Sequence, residues 1–177
     1  IRAVLAATGS PSWGVYAGYE LYEHVAVKPG SEEYLDSEKF QIRVRDWDAA
    51  EASGHTLAPY LTRLNEIRRR HPALQLLRNV TIHSSDDDHT LVFSKTATDP
   101  ATGEPGDTVI VVLNLDPHGT RATTVHLDMP ALGLGWDSQF VVEDELSGGT
   151  WTWGERNYVR LDPHVEPAHI LTVRRPA

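Results

Sequence analysis

The sequence contains no cysteine, so neither a disulfide framework nor a thiolate metal site is expected. It also has no apolar run near the roughly 20 residues that a membrane-spanning helix needs. Positive charge is scarce, because 16 Lys and Arg stand against 25 Asp and Glu, giving a net charge of -9. Nucleic acids and anionic membranes attract cationic surfaces, so we expect neither as a partner. A cytoplasmic location is the simplest expectation.

An initiator methionine is missing as well. The chain starts at Ile1, its single methionine is Met129, and the first seven residues lack the layout of a signal peptide. We therefore expect these 177 residues to be a piece of a longer protein.

Motifs for metal binding and for nucleophilic catalysis are not found. The nine histidines never form a His-Glu-x-x-His pattern, and the acidic tract 86–88 lacks the spaced ligands of a calcium loop. No Gly-x-Ser-x-Gly elbow or phosphate-binding glycine loop occurs. The sequence predicts no metal, no cofactor and no catalytic residue within this chain.

The first 75 residues are rich in aromatic side chains and predict a mixture of helix, strand and irregular loop. Residues 1–7 predict the end of a helix that closes near Gly9, and residues 13–19 predict a buried strand. Residues 23–54 are acidic and irregular, and a loop of that length usually serves a site. Apolar residues at helical spacing between Leu57 and His71 predict an amphipathic helix that stops at Pro72.

The remaining residues predict an all-β antiparallel sandwich over 76–177. Short β-branched runs alternate with turn signals rich in Gly, Pro, Asp and Asn. The predicted strands cover 79–83, 90–97, 108–115, 123–127, 139–143, 150–153, 158–161 and 169–174.

The acidic loop supplies the candidate binding residues. Its many carboxylates are typical of a charged surface loop, and we assign none of them a catalytic role. Lys39 lies beside Phe40, and together they offer hydrogen-bond donors and an aromatic face. That combination suits a sugar, which has hydroxyl oxygens around apolar C–H patches.

Two motifs carry a resemblance to a known family. Residues 61–74 read Leu-Thr-Arg-Leu-Asn-Glu-Ile-Arg-Arg-Arg-His-Pro-Ala-Leu, which resembles the last barrel helix of the α-amylase family, glycoside hydrolase family 13. Residues 10–20 look like the eighth barrel strand of that family. The resemblance implies residues 1–75 as the C-terminal part of a catalytic (β/α)8 barrel, followed by the family's C-terminal β-sandwich at 76–177.

A narrower resemblance comes from residues 30–41, which read Gly-Ser-Glu-Glu-Tyr-Leu-Asp-Ser-Glu-Lys-Phe-Gln, followed by Arg45-Asp46-Trp47. This is similar to the α-1,4-glucan:maltose-1-phosphate maltosyltransferases. The resemblance implies a retaining double displacement whose three carboxylates lie in earlier parts of the barrel. It also implies that Lys39 and Phe40 contact the maltosyl part of the donor. Relatives often have tyrosine where this chain has Phe40, so a hydroxyl contact would be lost there.

The same resemblance predicts the partners. They are maltose 1-phosphate, an α-1,4-glucan acceptor, the remainder of the same enzyme and, for the full-length protein, a second copy in a homodimer. A closed barrel takes about 250 residues, so the arc within 1–75 is too short to close one. We expect its apolar faces to lack a partner within this chain.

Two alternatives remain open. Another family 13 enzyme, such as an amylase or a trehalose-forming isomerase, would share the fold but not the phosphate donor. A non-catalytic glucan-binding sandwich would need residues 76–177 to fold and bind glycogen, and we expect folding without appreciable binding. A purely structural role for the sandwich is compatible with each of these functions.

Overall fold

The computed structural model describes residues 1–35 and 42–175. These residues form two compact units. The first unit combines residues 1–13 with the chain from Leu64 onward, and the second comprises Gly14–Arg63. None of the helices in the described part is long and apolar enough to cross a membrane.

Three α-helices occur among the described residues, and local side-chain contacts mark the starts of the second and third. α1 spans Arg2–Gly9, α2 spans Trp47–Ser53 and α3 spans Ala58–Arg70. The carboxylate of Asp46 accepts a hydrogen bond from the backbone N–H of Ala49 at 2.9 Å and caps α2. The backbone N–H of Ala58 donates to the Thr56 hydroxyl at 3.1 Å, and Pro72 follows the end of α3.

All eight predicted strands are confirmed, with small shifts at their ends. They are β1 Val80–Ser85, β2 Thr90–Thr98, β3 Pro105–Asn114, β4 Arg121–His126, β5 Phe140–Asp144, β6 Thr150–Trp153, β7 Arg156–Leu161 and β8 Ala168–Arg174. Short 3₁₀ turns occupy Tyr19–Leu21, Pro72–Gln75 and Pro130–Leu132.

The eight strands form one antiparallel sheet in the order β6-β5-β8-β3-β2-β1-β4-β7. Only two residue pairs, Ser84 with His126 and Ser85 with Val125, join β1 to β4, so the sheet is weakly held there. The edge strands β6 and β7 are separated in sequence by two residues alone, Gly154 and Glu155. Because so short a connection keeps the two edges close together, the sheet is nearly closed.

The inner face of this curled sheet holds the larger core. Paired residues that face each other across neighbouring strands, such as Ile110 with Leu171, both belong to it. The core draws on seven of the eight strands and on the loop after β4. Its members are Val92, Ile110, Val112, Val125, Leu127, Met129, Leu132, Phe140, Val142, Trp153, Val159, Leu161, Leu171 and Val173.

The outer face of the central strands is also buried, because helical segments cover it. Phe93, Val111 and Ile170 lie in register on that face and are almost fully buried. α1 packs against β3, and the 3₁₀ turn Pro72–Gln75 packs against β2 and β3. The apolar side chains Val4 and Ile67 are fully buried in the same unit.

Two expectations are corrected by this arrangement. The apolar face of α1 was expected to lack a partner within the chain, yet it is buried against the sheet. The predicted strand at 13–19 is wrong, because residues 13–18 are irregular and a 3₁₀ turn begins at Tyr19. A strand needs hydrogen-bonding neighbours, and none of the described residues pairs with this segment as a strand.

His71 ties the end of α3 to the sheet. Its Nδ1 lies 2.8 Å from Asp107 Oδ1 and its Nε2 lies 3.2 Å from Glu145 Oε1. Glu145 also accepts hydrogen bonds from the Thr172 hydroxyl, at 2.8 Å, and from the Arg70 guanidinium. Both ring nitrogens donate only when the imidazole is protonated, so this geometry favours the charged ring.

Burial opposes that charge, but hydrogen bonds and attraction from Asp107 and Glu145 outweigh it and raise the pKa of His71 above its ordinary value of 6.5. A raised folded-state pKa stabilises the fold fully below the ordinary pKa, and the stabilisation is lost as pH rises through the folded-state pKa. We therefore expect the free energy of unfolding to fall more steeply above about pH 6.5 in the wild type than in His71→Gln. Urea unfolding at several pH values measures both slopes.

His118→Gln is the matched control, because His118 is exposed and should leave the wild-type pH slope intact. Equal slopes for the wild type and His71→Gln would contradict the assignment.

Candidate functional site

The predicted donor-binding residues, Lys39 and Phe40, lie in segment 36–41, which is outside the described residues. Hydrogen bonds involve the residues on either side of that segment. Arg43 Nη1 donates to the backbone carbonyl of Leu35 at 3.2 Å, and the Leu35 N–H donates to the carbonyl of Val25 at 2.7 Å. These bonds tie the residue before the segment both to the chain after it and to an earlier part of the same unit.

Residues 25–35 form a small antiparallel turn ahead of the segment. Ala26 pairs with Tyr34 as an isolated bridge, and the Val27 N–H donates to the Glu33 carbonyl at 2.8 Å. The reversal contains Gly30, whose φ of 77° is the left-handed conformation that glycine adopts without steric cost. The predicted irregular loop therefore contains defined structure, including this turn and α2.

Two aromatic pairs lie in the second unit, one of them on the turn. The rings of Tyr16 and Tyr34 meet edge to face with centroids 6.4 Å apart. The rings of Tyr22 and His55 lie 4.9 Å apart at a tilt of 46°. All four side chains are exposed, so their faces are available to a ligand with apolar C–H patches.

The carboxylate of Glu23 is held by two arginines. Its Oε1 and Oε2 accept from Nε and Nη2 of Arg45 at 2.9 and 3.2 Å, and Arg43 Nη2 lies 3.4 Å from Oε1. The hydrogen bond from Arg45 is the main reason that the pKa of Glu23 lies below its ordinary value. An ionised, doubly paired carboxylate is poorly suited to donate a proton, so Glu23 has a structural role.

Gly18 permits this ion pair. A Cβ on Gly18 would lie 2.1 Å from Glu23 Oε2, and the φ of 99° is itself unfavourable for other residues. The Gly18 N–H also donates to Glu20 Oε2 at 3.1 Å. These two contacts give the carboxylates of Glu20 and Glu23 partners within the same unit.

A separate cavity of about 480 Å³ lies in the first unit, at the end of α1. Trp13, Asn65, Arg68 and Gln75 contribute to its wall. The Trp13 indole N–H donates to Asn65 Oδ1 at 3.2 Å. The cavity wall contains parts of the two segments that carry the wider family resemblance.

Arg68 closes the C-terminal end of α1. Its Nη1 donates to the carbonyls of Ala7 and Ser10, the latter at 2.8 Å, and its Nη2 donates to the carbonyl of Pro11 at 2.7 Å. Carbonyls at and just beyond a helix C-terminus lack intrahelical partners, which explains the need for this side chain.

No group of His, Asp and Glu side chains in residues 1–35 and 42–175 is arranged to hold a metal ion. The sequence reasoning missed the pairing of Glu23 with Arg45, because a separation of 22 residues in an irregular loop follows no periodic pattern. It likewise missed the contacts of His71, whose partners lie 36 and 74 residues away.

Comparisons with known proteins identify relatives along the whole chain. A family profile described as "GLGE, C-terminal" matches residues 82–173. The α-1,4-glucan:maltose-1-phosphate maltosyltransferase 2 of Streptomyces coelicolor is 54% identical over 177 residues, covering 100% of this chain. The maltosyltransferase of Mycolicibacterium smegmatis is 54% identical over 173 residues, and that of Mycobacterium tuberculosis strain H37Rv is 52% identical over 173 residues, each covering 98% of this chain.

The chain spans only 24–25% of the length of these relatives. Among solved structures, a pullulanase complexed with maltotetraose from Anoxybacillus sp. LM18-11 shares the fold with a TM-score of 0.53 at 15% sequence identity. The match covers 98% of this chain and 23% of the pullulanase chain. The chain thus shares its fold with part of this pullulanase chain.

Removing the guanidinium in Arg45→Met should raise the pKa of Glu23 back toward its ordinary value of 4.5, because the hydrogen bond from Arg45 is the largest cause of the shift. A carboxyl ¹³C NMR titration of the glutamates measures this change. Lys28→Met is the control, since it removes one positive charge from the same loop without touching Glu23. An equal response to both substitutions would mean that net charge, rather than the Arg45 contact, sets this pKa.

Proposed function

The chain belongs to the family of α-1,4-glucan:maltose-1-phosphate maltosyltransferases, and we propose that it forms the C-terminal quarter of such an enzyme. The complete protein transfers maltosyl units from maltose 1-phosphate to the non-reducing end of an α-1,4-glucan. The observation that carries this proposal is 54% identity across all 177 residues with a relative of that name.

The proposed chemistry is a retaining double displacement. An aspartate oxygen bonds to the anomeric carbon of the donor while the bond from that carbon to the phosphate oxygen breaks and phosphate leaves. A hydroxyl of the glucan then attacks the same carbon, a glutamate accepts its proton, and the aspartate is released. A second aspartate stabilises the transition state. All three carboxylates belong to parts of the enzyme that precede this chain.

We propose that residues 1–75 are the last arc of the catalytic barrel and that residues 76–177 are the sandwich that follows it. The apolar surface of the second unit supports this assignment. Ile42 is 95% exposed, Val44 is 92% exposed and Val25 is 58% exposed. We infer that another domain covers these exposed apolar side chains, and the earlier barrel elements are their natural partner.

We propose further that Lys39 and Phe40 contact the maltosyl part of the donor. The match of residues 30–41 to the family motif supports this role. The neighbouring exposed rings of Tyr16 and Tyr34 add aromatic surface to the same unit. Lysine provides three donors for hydroxyl oxygens, and the ring of Phe40 offers an apolar face.

The remaining proposals concern the complete enzyme. We place it in the cytoplasm as a homodimer whose contact uses domains outside this chain, which rests on the family resemblance. The net charge of -9 supports the proposal that neither nucleic acid nor an anionic membrane is a partner.

Incubating the complete enzyme with maltose 1-phosphate and glycogen should release inorganic phosphate and lengthen the glucan chains. A phosphate assay and chain-length analysis measure the two products. An amylase-type hydrolase would instead produce reducing ends from the glucan without phosphate, and a trehalose-forming isomerase would act on maltose alone. Either pattern would replace the proposal.

Lys39→Ala in the complete enzyme should lower kcat/KM for maltose 1-phosphate about ten- to a hundredfold, because a hydrogen bond from a charged donor contributes about 1.5–3 kcal/mol. Steady-state kinetics with glycogen as acceptor give the ratio. Lys28→Ala removes a lysine from the same loop and should leave kcat/KM unchanged. Wild-type kinetics for Lys39→Ala would remove Lys39 from the site.

A further inference from the structure

The incomplete closure of the sheet leaves a cavity of about 250 Å³ at the seam between β6 and β7. It is lined by Trp151, Trp153, Tyr158, Val159, Arg160 and His169. Trp151 and His169 lie in register with the core residues Val142 and Val112, so both start from the inner face of the sheet. The cavity therefore borders the inner face of the curled sheet, next to residues of the inner core.

The aromatic lining combines a buried floor with exposed walls. Trp153 is 6% exposed and belongs to the inner core, whereas Trp151 is 42% exposed and Tyr158 is 69% exposed. The two exposed rings belong to the two edge strands, one on each side of the seam. Aromatic faces thus border the opening from both sides.

The orientation of Trp151 is built into the backbone. A Cβ on Gly149 would lie 2.5, 2.8 and 3.2 Å from three atoms of the indole ring. Only glycine lets the ring lie this close to the chain at that point. The imidazole of His169 also contacts the indole of Trp151, and the two ring centroids lie 5.4 Å apart. The indole is held in place although much of it faces solvent.

A buried carboxylate orients His169. The side chain of Asp144 is fully buried, and its Oδ2 lies 3.0 Å from His169 Nδ1. Burial disfavours the charge on Asp144, but hydrogen bonds from His169 and Ser147 outweigh burial and hold the pKa of this carboxyl below its ordinary value. An ionised carboxylate only accepts, so Nδ1 carries the hydrogen of this bond and Nε2 is the ring nitrogen that remains.

The second ring nitrogen is left for a ligand. Across residues 1–35 and 42–175, no protein group makes a hydrogen bond to His169 Nε2. Arg160 adds an exposed guanidinium at the rim, with donors only. The cavity thus offers aromatic faces together with Nε2 of His169 and the donors of Arg160.

We propose that this seam cavity is a carbohydrate subsite that holds a glucose residue of the α-glucan. A pyranose ring presents an apolar C–H face, which packs on Trp151 and Tyr158, and hydroxyl groups, which both donate and accept. The volume is below the roughly 300–1,000 Å³ of larger ligand pockets, so it fits a single ring. The choice of glucan as ligand rests on the proposed function.

Two other occupants fit less well. An extended peptide adds to a sheet through a free edge, but here the two edges lie close together and β6 is only four residues long. An anionic polymer would be repelled by a chain with a net charge of -9. From the sequence alone no glucan binding was expected in this region, because the lining residues are scattered between 151 and 169.

Native electrophoresis of the complete enzyme in gels containing glycogen tests the subsite. We expect the wild type to be retarded relative to a glycogen-free gel. Trp151→Ala, and Gly149→Ala through displacement of the indole, should weaken the apparent affinity about two- to tenfold, because an aromatic contact contributes on this scale. Trp136→Ala is the matched control, since Trp136 is 58% exposed but lies outside the cavity.

No donor is present in this experiment, so its result is independent of the transferase reaction. Phosphate release by the wild type tests the proposed function separately. The subsite is overturned if the wild type is not retarded, or if folded Trp151→Ala is retarded as strongly as the wild type. Should Trp151→Ala fail to fold, Tyr158→Ala decides in its place, and wild-type retardation of that variant likewise overturns the subsite.

Discussion

Burial of both faces of β3 is the constraint on which the first unit depends. The last seven residues of this strand, Thr108–Asn114, are all buried. One face lies in the core inside the curled sheet, and the other is covered by α1 and by the 3₁₀ turn after α3. Both coverings stabilise the strand, because leaving one apolar face in water would cost about 25 cal/mol of hydrophobic stabilisation for each Å² of apolar surface exposed.

This constraint gives a physical meaning to the motif at the end of α3. Arg68 satisfies the carbonyls at and beyond the end of α1, and His71 reaches Asp107 and Glu145 on the sheet side. The motif therefore fastens two helical segments over the outer face of the strands. Residues that suggested a barrel helix from their sequence also complete the β domain, which explains why packing groups the last turns of α3 with the strands.

The sequence predicted local structure well and long-range structure poorly. All eight strands were found because turn residues separate short β-branched runs, and α3 was found because its apolar residues repeat at helical spacing. α2 was missed because it has seven residues and contains no buried one. The predicted strand at 13–19 was wrong because a segment becomes a strand only where neighbouring residues can hydrogen-bond to it, which its own residues do not reveal.

Candidate sites also divide into local and long-range ones. Lys39 and Phe40 were proposed from a contiguous sequence motif, whereas Asp144 and His169 are far apart in sequence and meet only in the fold.

The position of β8 in the sheet has a consequence for how the domain is made. β8 lies between β3 and β5, and β5 carries the hairpin with β6. A ribosome-bound chain that has not yet emerged to Ala168–Arg174 therefore leaves the edge of β3 bare and the β5–β6 hairpin without an anchor. Such an intermediate exposes apolar strands that invite association with other nascent chains. Because β8 joins β3 to β5, the sheet is expected to complete its folding only after residues Ala168–Arg174 have emerged.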